Sequence, residues 1–304
     1  MDRAACPSST PRIVVGIPCY NRPHGLQETI RCLQAQTFQD WRGVICDNAS
    51  PDPRVAEIGE DAARRDPRFR YHRHPTNLGA IANFHFAAHV ETAEFFMWGS
   101  DDDLWRPQFM ETNLRLLEHH PQTALAFCAV ESINRDGEVL FRLPSFAPLS
   151  SRGNSREDLQ RYLEAPEKCG KANLIYGLFR TPALRDCLER DWEIACTNFY
   201  AADLVFLFAL VCRYSIVAHD AYHFSKRQPT GARRKIRWRH PRSYRVAKGS
   251  ELESYIARLR AVSPTPEIAD LVEQSVRRRQ RERWLYLLPQ AWRLLDRRLL
   301  GSGV

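Results

Sequence analysis

Asp101, Asp102 and Asp103 stand in an unbroken row directly after an apolar run. Adjacent carboxylates repel one another unless solvent, a helix N-terminus or a cation relieves them. Hard oxygen donors with neither His nor Cys beside them favour Mg2+ or Mn2+ over Zn2+. A cation held by one or two carboxylates keeps positions open for substrate phosphates, where it offsets charge on a leaving diphosphate. Helix capping is the competing reading, because Pro107 marks a helix start just beyond Asp103. Such a cation is an electrophile, so a separate carboxylate or His must take the proton from an acceptor hydroxyl. Asp203, at the head of the apolar stretch ADLVFLFALV, reads by itself as a helix N-cap.

Positioning these groups requires elements that end where they stand. Residues 12–17 (RIVVGI) read as a buried strand and 25–38 as a helix. A second strand at 41–46 runs into the turn cluster Asp47-Asn48-Ala49-Ser50. A Pro-initiated helix is expected at 53–65, a short strand at 69–72 and a helix at 80–90 after Asn77-Leu78-Gly79. The run 94–98 (EFFMW) is a strand leading into Gly99 and the aspartates, a helix follows from Pro107, and 123–130 is again a strand. This alternation predicts an α/β fold, a mainly parallel central sheet with helices on both faces. Ligands bind such sheets beyond the carboxyl ends of the strands. Three polar clusters fall there: residues 18–22, 47–52 and 101–103.

Beyond Ile133 the pattern weakens. Residues 133–171 are expected as a longer loop or a small excursion facing an acceptor, 172–180 as a segment re-entering the sheet, and 202–211 as a buried helix. The last third is basic, with helices near 251–261 and 267–299 and a connection over 231–249. Trp284, Leu288, Trp292, Leu295 and Leu299 recur at helical spacing among arginines. That face either lies on an anionic membrane or packs on the domain.

Composition bounds the rest. The 304 residues carry 44% hydrophobic and 26% charged side chains, the proportions of a packed soluble protein. The net charge of +8 favours anionic partners. Nucleic acid is not expected, since neither stacking platforms nor a groove-reading motif is present. Nine cysteines without a C-x-x-C pair read as reduced, buried thiols. No signal-peptide core or spanning apolar run is seen, so the expected location is cytoplasmic, with peripheral contact at the inner face of the plasma membrane.

Four segments together resemble family 2 glycosyltransferases of the GT-A fold. Pro18-Cys19-Tyr20-Asn21-Arg22 is similar to the family's P-x-Y-N-R entry, and residues 47–52 (DNASPD) to its D-N/D-x-S-x-D turn. Asn77, Gly79 and Asn83 match its N-x-G-x-x-x-N segment, and Asp101–Asp103 its D-x-D region. The four occur in family order over about residues 12–130, a far more specific signal than any one alone. The resemblance implies a nucleotide-sugar donor, UDP-sugar favoured, with Asp47 reading the base and Pro18, Tyr20, Asn21 and Arg22 lining its pocket. Turn formation would also explain Asp47, Tyr20 and Asn21, and an N-cap with a permissive Gly would explain Asn77 and Gly79.

It further implies an inverting transferase, with Asp102 as the favoured ligand to Mn2+ or Mg2+ and Asp101 and Asp103 in support. Two departures stand out. Ser100 replaces the first aspartate of the commoner D-x-D-D spelling, and Q-x-x-R-W of processive synthases is missing. Asp203 occupies the place of the family's base. Residues 223–227 (HFSKR) resemble its late aromatic-x-x-R segment, which points Arg227 at the diphosphate, while Gln228 stands where the family often has His. His223 reads equally as a structural residue.

The expected organisation is a tail at 1–11, a catalytic domain at 12–230 and a basic helical extension at 231–304. Within the domain the donor half spans 12–130 and the acceptor half 131–230. Expected partners are the sugar nucleotide and a glycan or lipid-linked acceptor, as in cell-envelope polysaccharide assembly. The competing class is a nucleotide-sugar-binding regulatory or scaffold protein without catalysis.

Overall fold

The computed structural model describes residues 10–151, 155–165, 169–228 and 249–285. Strands β1 (Ile13–Cys19) and β2 (Trp41–Asp47) form the centre of the N-terminal half of the sheet and pair in parallel. Every residue of β1 is buried, as expected of a strand covered by helices on both faces. The parallel strand β3 (Phe69–Arg73) flanks β2, and β4 (Phe95–Trp98) flanks β1. Their connections are α1 (Pro23–Gln34), α2 (Pro53–Arg65) and α3 (Ala80–Ala87). Proline opens α1 and α2, where a missing N–H costs nothing. The side chain of Asp52 caps α2 by accepting from Arg54 N at 3.0 Å.

The remaining elements are β5 (Leu104–Trp105), α4 (Phe109–His119), β6 (Thr123–Ile133), β7 (Val139–Arg142), α5 (Arg156–Glu164), β8 (Leu178–Arg180), α6 (Thr181–Cys196), α7 (Ala202–Arg213) and β9 (Ser215–Arg227). The sheet runs β3-β2-β1-β4-β8-β6-β9-β5, with β7 paired to β6. Parallel pairing dominates its register, and the short β8 inserts antiparallel between β4 and β6.

The first half follows the expected elements closely, and the second departs from them. Residues 133–171 hold a β6–β7 hairpin and α5, not an open loop. Of residues 172–180 only β8 enters the sheet, behind a 3-10 turn at Lys171–Tyr176. Helix α6 and strands β5 and β9 are additional to the sequence reading. In β9 half-buried and exposed polar residues interrupt the apolar ones, which erases the alternation a strand usually shows.

Helices α8 (Gly249–Ala261) and α9 (Pro266–Leu285) pack against α5, α6 and α7. Tyr255, Ile256, Leu259, Val262, Leu271, Val272 and Val276 join the same apolar core as the sheet. The side chains of Trp284, Leu288, Trp292, Leu295 and Leu299, and the connection expected at 231–249 apart from Gly249, lie outside the described residues. Among the described residues no helix is long and apolar enough to cross a membrane, and Cys19, Cys32, Cys46, Cys128, Cys187, Cys196 and Cys212 are free thiols.

Candidate active site

The carboxyl ends of β1, β2 and β4 bring the three polar clusters together. After β1 the chain turns at Asn21, whose φ of 56° is tolerated by a short polar side chain. Asn21 N donates to Ser50 Oγ at 2.9 Å, tying the first cluster to the second. Tyr20 N donates to Asp101 Oδ2 at 3.2 Å. Arg22 Nη1 donates to Asp101 Oδ1 at 2.8 Å and to Asp102 Oδ2 at 3.0 Å, tying the first cluster to the third. Pro18 stays within β1, opposite Cys46 of β2.

Asp47 is fully buried at the end of β2. Its Oδ1 accepts from Ser50 N at 2.9 Å, and its Oδ2 accepts from Tyr71 Oη at 2.8 Å and from Arg73. Burial alone would raise this carboxyl, but the donors from Ser50, Tyr71 and Arg73 prevail and hold it below the usual range. The turn role is thus present in Asp47, whose carboxylate closes the turn onto Ser50 N. Asn48 and Asn77 form a second knot. Asn48 Nδ2 donates to Asn77 Oδ1 at 2.9 Å, and Leu78 N and Gly79 N donate to the two side-chain oxygens at 2.8 Å each. Gly79 has φ 84°, a conformation that favours glycine. Asn83 is buried behind the knot, donating to Cys46 O at 2.9 Å and facing His74 Nε2 at 3.0 Å. Asn77 and Asn83 thus tie this segment to Asn48 and to the end of β2.

The three aspartates have separate environments. Asp101 is 6% exposed, and burial lifts its carboxyl to about 6 against the pull of Arg22. Asp103 is fully buried and also raised by burial, opposed by Lys226, whose Nζ donates to Oδ2 at 2.7 Å. Arg227 N donates to the other oxygen of Asp103 at 3.0 Å. Asp102 alone has substantial access, its side chain 34% exposed. Its Oδ1 accepts from the hydroxyl of Ser100, so the position that departs from D-x-D-D orients the accessible carboxylate. Among the described residues no three His, Cys, Asp or Glu side chains converge as a self-sufficient cation site. One accessible carboxylate with supporting neighbours still suits a hard cation that shares its shell with substrate phosphates.

Strand β9 brings cations to this edge. Arg227 Nε donates to Asp102 O at 3.1 Å and Nη2 to Glu28 Oε2 on α1 at 2.9 Å. Lys226 lies over the Tyr176 ring, Nζ 5.0 Å from its centre. Lys226, Tyr176, Glu28 and Ser100 were not nominated as site residues from sequence. Lys226 stood inside the quoted 223–227 segment, whereas Tyr176 and Glu28 carried no motif.

Asp203 is the second residue of α7, and Ala201, not Asp203, is the N-cap. Its Oδ1 accepts from Leu204 N at 2.8 Å. The carboxylate has solvent access, yet the protein around it desolvates it enough to raise its pKa, with Lys226 pulling the other way. Lys226 therefore acts electrostatically on both Asp103 and Asp203.

Comparison with known proteins agrees with this geometry. The family described as glycosyl transferase family 2 matches residues 14–176. An uncharacterized protein of Mycobacterium tuberculosis is 27% identical over 210 residues, covering 67% of this chain and 58% of its own length. The chain thus spans under two thirds of that relative. An uncharacterized glycosyltransferase of Methanocaldococcus jannaschii is 23% identical over 220 residues, 70% of this chain and 73% of that protein. The S. aureus TarS structure in complex with UDP-GlcNAc superposes with a TM-score of 0.59 at 14% identity, covering 87% of this chain and 70% of that one. Mannosyltransferase PcManGT from Pyrobaculum calidifontis, in complex with GDP-Man and Mn2+, gives 0.55 at 17% identity over 100% of this chain and 79% of that one. At these identities the structural likeness speaks to the fold, which is the GT-A α/β architecture.

Proposed function

The chain belongs to glycosyl transferase family 2, and on that premise we propose that it moves a sugar from a nucleoside-diphosphate sugar to an acceptor hydroxyl. The observation that supports this reading is the junction of three strand ends through Arg22 and Asn21, which links the Ser50 turn to the acidic cluster. Asp47 reads the base, a uridine donor favoured, while Pro18, Tyr20, Asn21 and Arg22 line the pocket. Asn77, Gly79 and Asn83 shape its wall.

Asp102 is the principal ligand for Mn2+ or Mg2+, with Asp101 and Asp103 in support. When bound, the cation would offset the charge on the leaving diphosphate. Arg227 faces the same diphosphate. Asp203 takes the proton from the acceptor hydroxyl, and its raised pKa moves a carboxyl toward the range of a working base. The acceptor oxygen then attacks the anomeric carbon in line, with inversion and without a covalent sugar–enzyme intermediate. Donor binding belongs to residues 12–130 and acceptor binding to 131–230, with 231–304 as the extension. A glycan or lipid-linked acceptor of the cell envelope, met at the inner face of the membrane, fits this reading.

The test is a thermal-shift screen of uridine, guanosine and thymidine sugars with Mn2+ present. At least one donor is expected to raise the melting temperature of the wild type. Asp102→Asn is expected to lower donor cleavage by about 100-fold or more, as loss of a major electrostatic contributor does. A screen with no shift for any donor would sink the reading.

A second reading, a nucleotide-sugar-binding regulatory protein, draws support from Asp103, whose two oxygens are engaged by Lys226 and Arg227. Donor binding without turnover, unchanged by Mn2+ and by Asp102→Ala, would favour it.

A further inference from the structure

The loop that delivers Asp203 is held from the C-terminal helices. Helix α6 ends at Cys196, where Thr197 Oγ1 donates to Ile194 O at 2.6 Å and to Glu193 O at 3.5 Å, and α7 begins at Ala202 without a side-chain N-cap. Ala201, the residue ahead of α7, has φ 56°, a conformation an alanine adopts only where surrounding contacts impose it. Further main-chain carbonyls, from Ala195 to Tyr200, lie at the end of α6 and along the connection.

One guanidinium answers these carbonyls. Arg258 on α8 donates through Nη1 to Ala195 O at 2.7 Å and to Asn198 O at 3.0 Å, and through Nη2 to Tyr200 O at 2.5 Å. Nε donates to Ser254 O of its own helix at 3.3 Å. The residue is 5% exposed, and burial pulls its pKa down. All four of these acceptors are main-chain carbonyls, so the planar fork spans three separate points of the α6–α7 connection. Lysine, a point donor, does not reproduce that span. Two residues, Ala201 and Ala202, separate the last clamped carbonyl from the carboxylate proposed as base.

We propose that Arg258 is a positioning residue for sugar transfer: its clamp on residues 195–200 sets the start of α7 and with it the place of Asp203. The C-terminal helices are then part of the acceptor site, although they lie outside residues 14–176 that match the family. This rests on the reading of Asp203 as the base.

The test compares full-length wild type, Arg258→Met, Arg258→Lys, Val272→Ala and Asp203→Asn. Cleavage of UDP-N-acetylglucosamine and GDP-mannose is followed with Mn2+, water standing in for the acceptor. Val272 is a fully buried residue of α9, so its truncation loosens the same helix pair without removing the clamp. Arg258→Met is expected to lower kcat by roughly 10- to 100-fold with donor KM within about twofold, the signature of a displaced group. Arg258→Lys is expected to recover part of the loss, and Val272→Ala to keep wild-type kcat despite a lower melting temperature. Chymotrypsin should cut Arg258→Met faster after Phe199, which is 75% exposed on this loop. Equal kcat for Arg258→Met and wild type, or equal losses in Arg258→Met and Val272→Ala, overturns the proposal. Asp203→Asn with wild-type turnover, or no cleavage of either donor by wild type, overturns the reading of the base instead.

Discussion

The three consecutive aspartates share a charge and little else. Asp101 is spent on Arg22 and the Tyr20 amide, Asp103 on Lys226 and the Arg227 amide, and Asp102 keeps access to solvent. That division relieves the repulsion a row of carboxylates would otherwise impose, and it leaves one of them accessible for a ligand. A contrasting residue lies on β9. The His219 ring has its Nε2 buried without a partner, and burial, helped by the neighbouring His223, lowers its pKa from 6.5 to about 4 while Asp220 pulls it up. A depressed histidine pKa means the unfolded chain binds more protons than the folded one between those values. Its stabilisation is thus present above about pH 6.5 and is lost as the pH falls toward 4. Urea denaturation from pH 7 to pH 4 should show stability falling with acidification, less steeply in His219→Gln. An unchanged slope would remove His219 from the cause, since His72, His85 and His223 shift in the same direction.

Elements reach the site through close backbone contact as well as through side chains. At Gly25, in the first turn of α1, an added Cβ would stand 1.8 Å from the carbonyl oxygen of Asp101. No rotamer relieves a clash with main chain, so α1 or the aspartate segment must move. Gly25→Ala is expected to cost about 1–3 kcal/mol of stability, the range for overpacking, and to weaken sugar-nucleotide binding. Chemical denaturation and donor titration check both, and a variant as stable as wild type with unchanged affinity would show that the two segments have slack. The same packing explains why α1 starts where it does. Pro23 fixes its entry, Gly25 admits Asp101, and Thr29 Oγ1 donates to Ser100 O at 2.7 Å one turn later.

At the scale of the whole molecule, α8 and α9 complete the core against α5, α6 and α7, and Arg258 ties them to the connection before Asp203. Deleting residues 249–304 should expose the apolar partners of Tyr255, Leu259 and Val272, giving a chain that aggregates or binds a hydrophobic dye. A truncated protein with wild-type melting temperature would show that these helices are dispensable.

The sequence by itself determined the donor half: apolar β-branched runs, proline helix starts and motifs placed at strand ends are local signals, read without knowing any long-range contact. It also singled out Asp101–Asp103 as strand-end carboxylates, and the family resemblance nominated Asp47 and Asp203. It missed α6, and it missed β9 and β5 because a strand of half-buried polar residues and a two-residue pairing depend on partners 91 to 121 residues away. Which aspartate stays accessible, why Ser100 serves where an aspartate was expected, and what holds Asp203 were decided only in tertiary structure. Each depends on a partner, Lys226 for Asp103, Asp102 for Ser100 and Arg258 for the α7 entry, whose direction of approach is set by how separate elements pack.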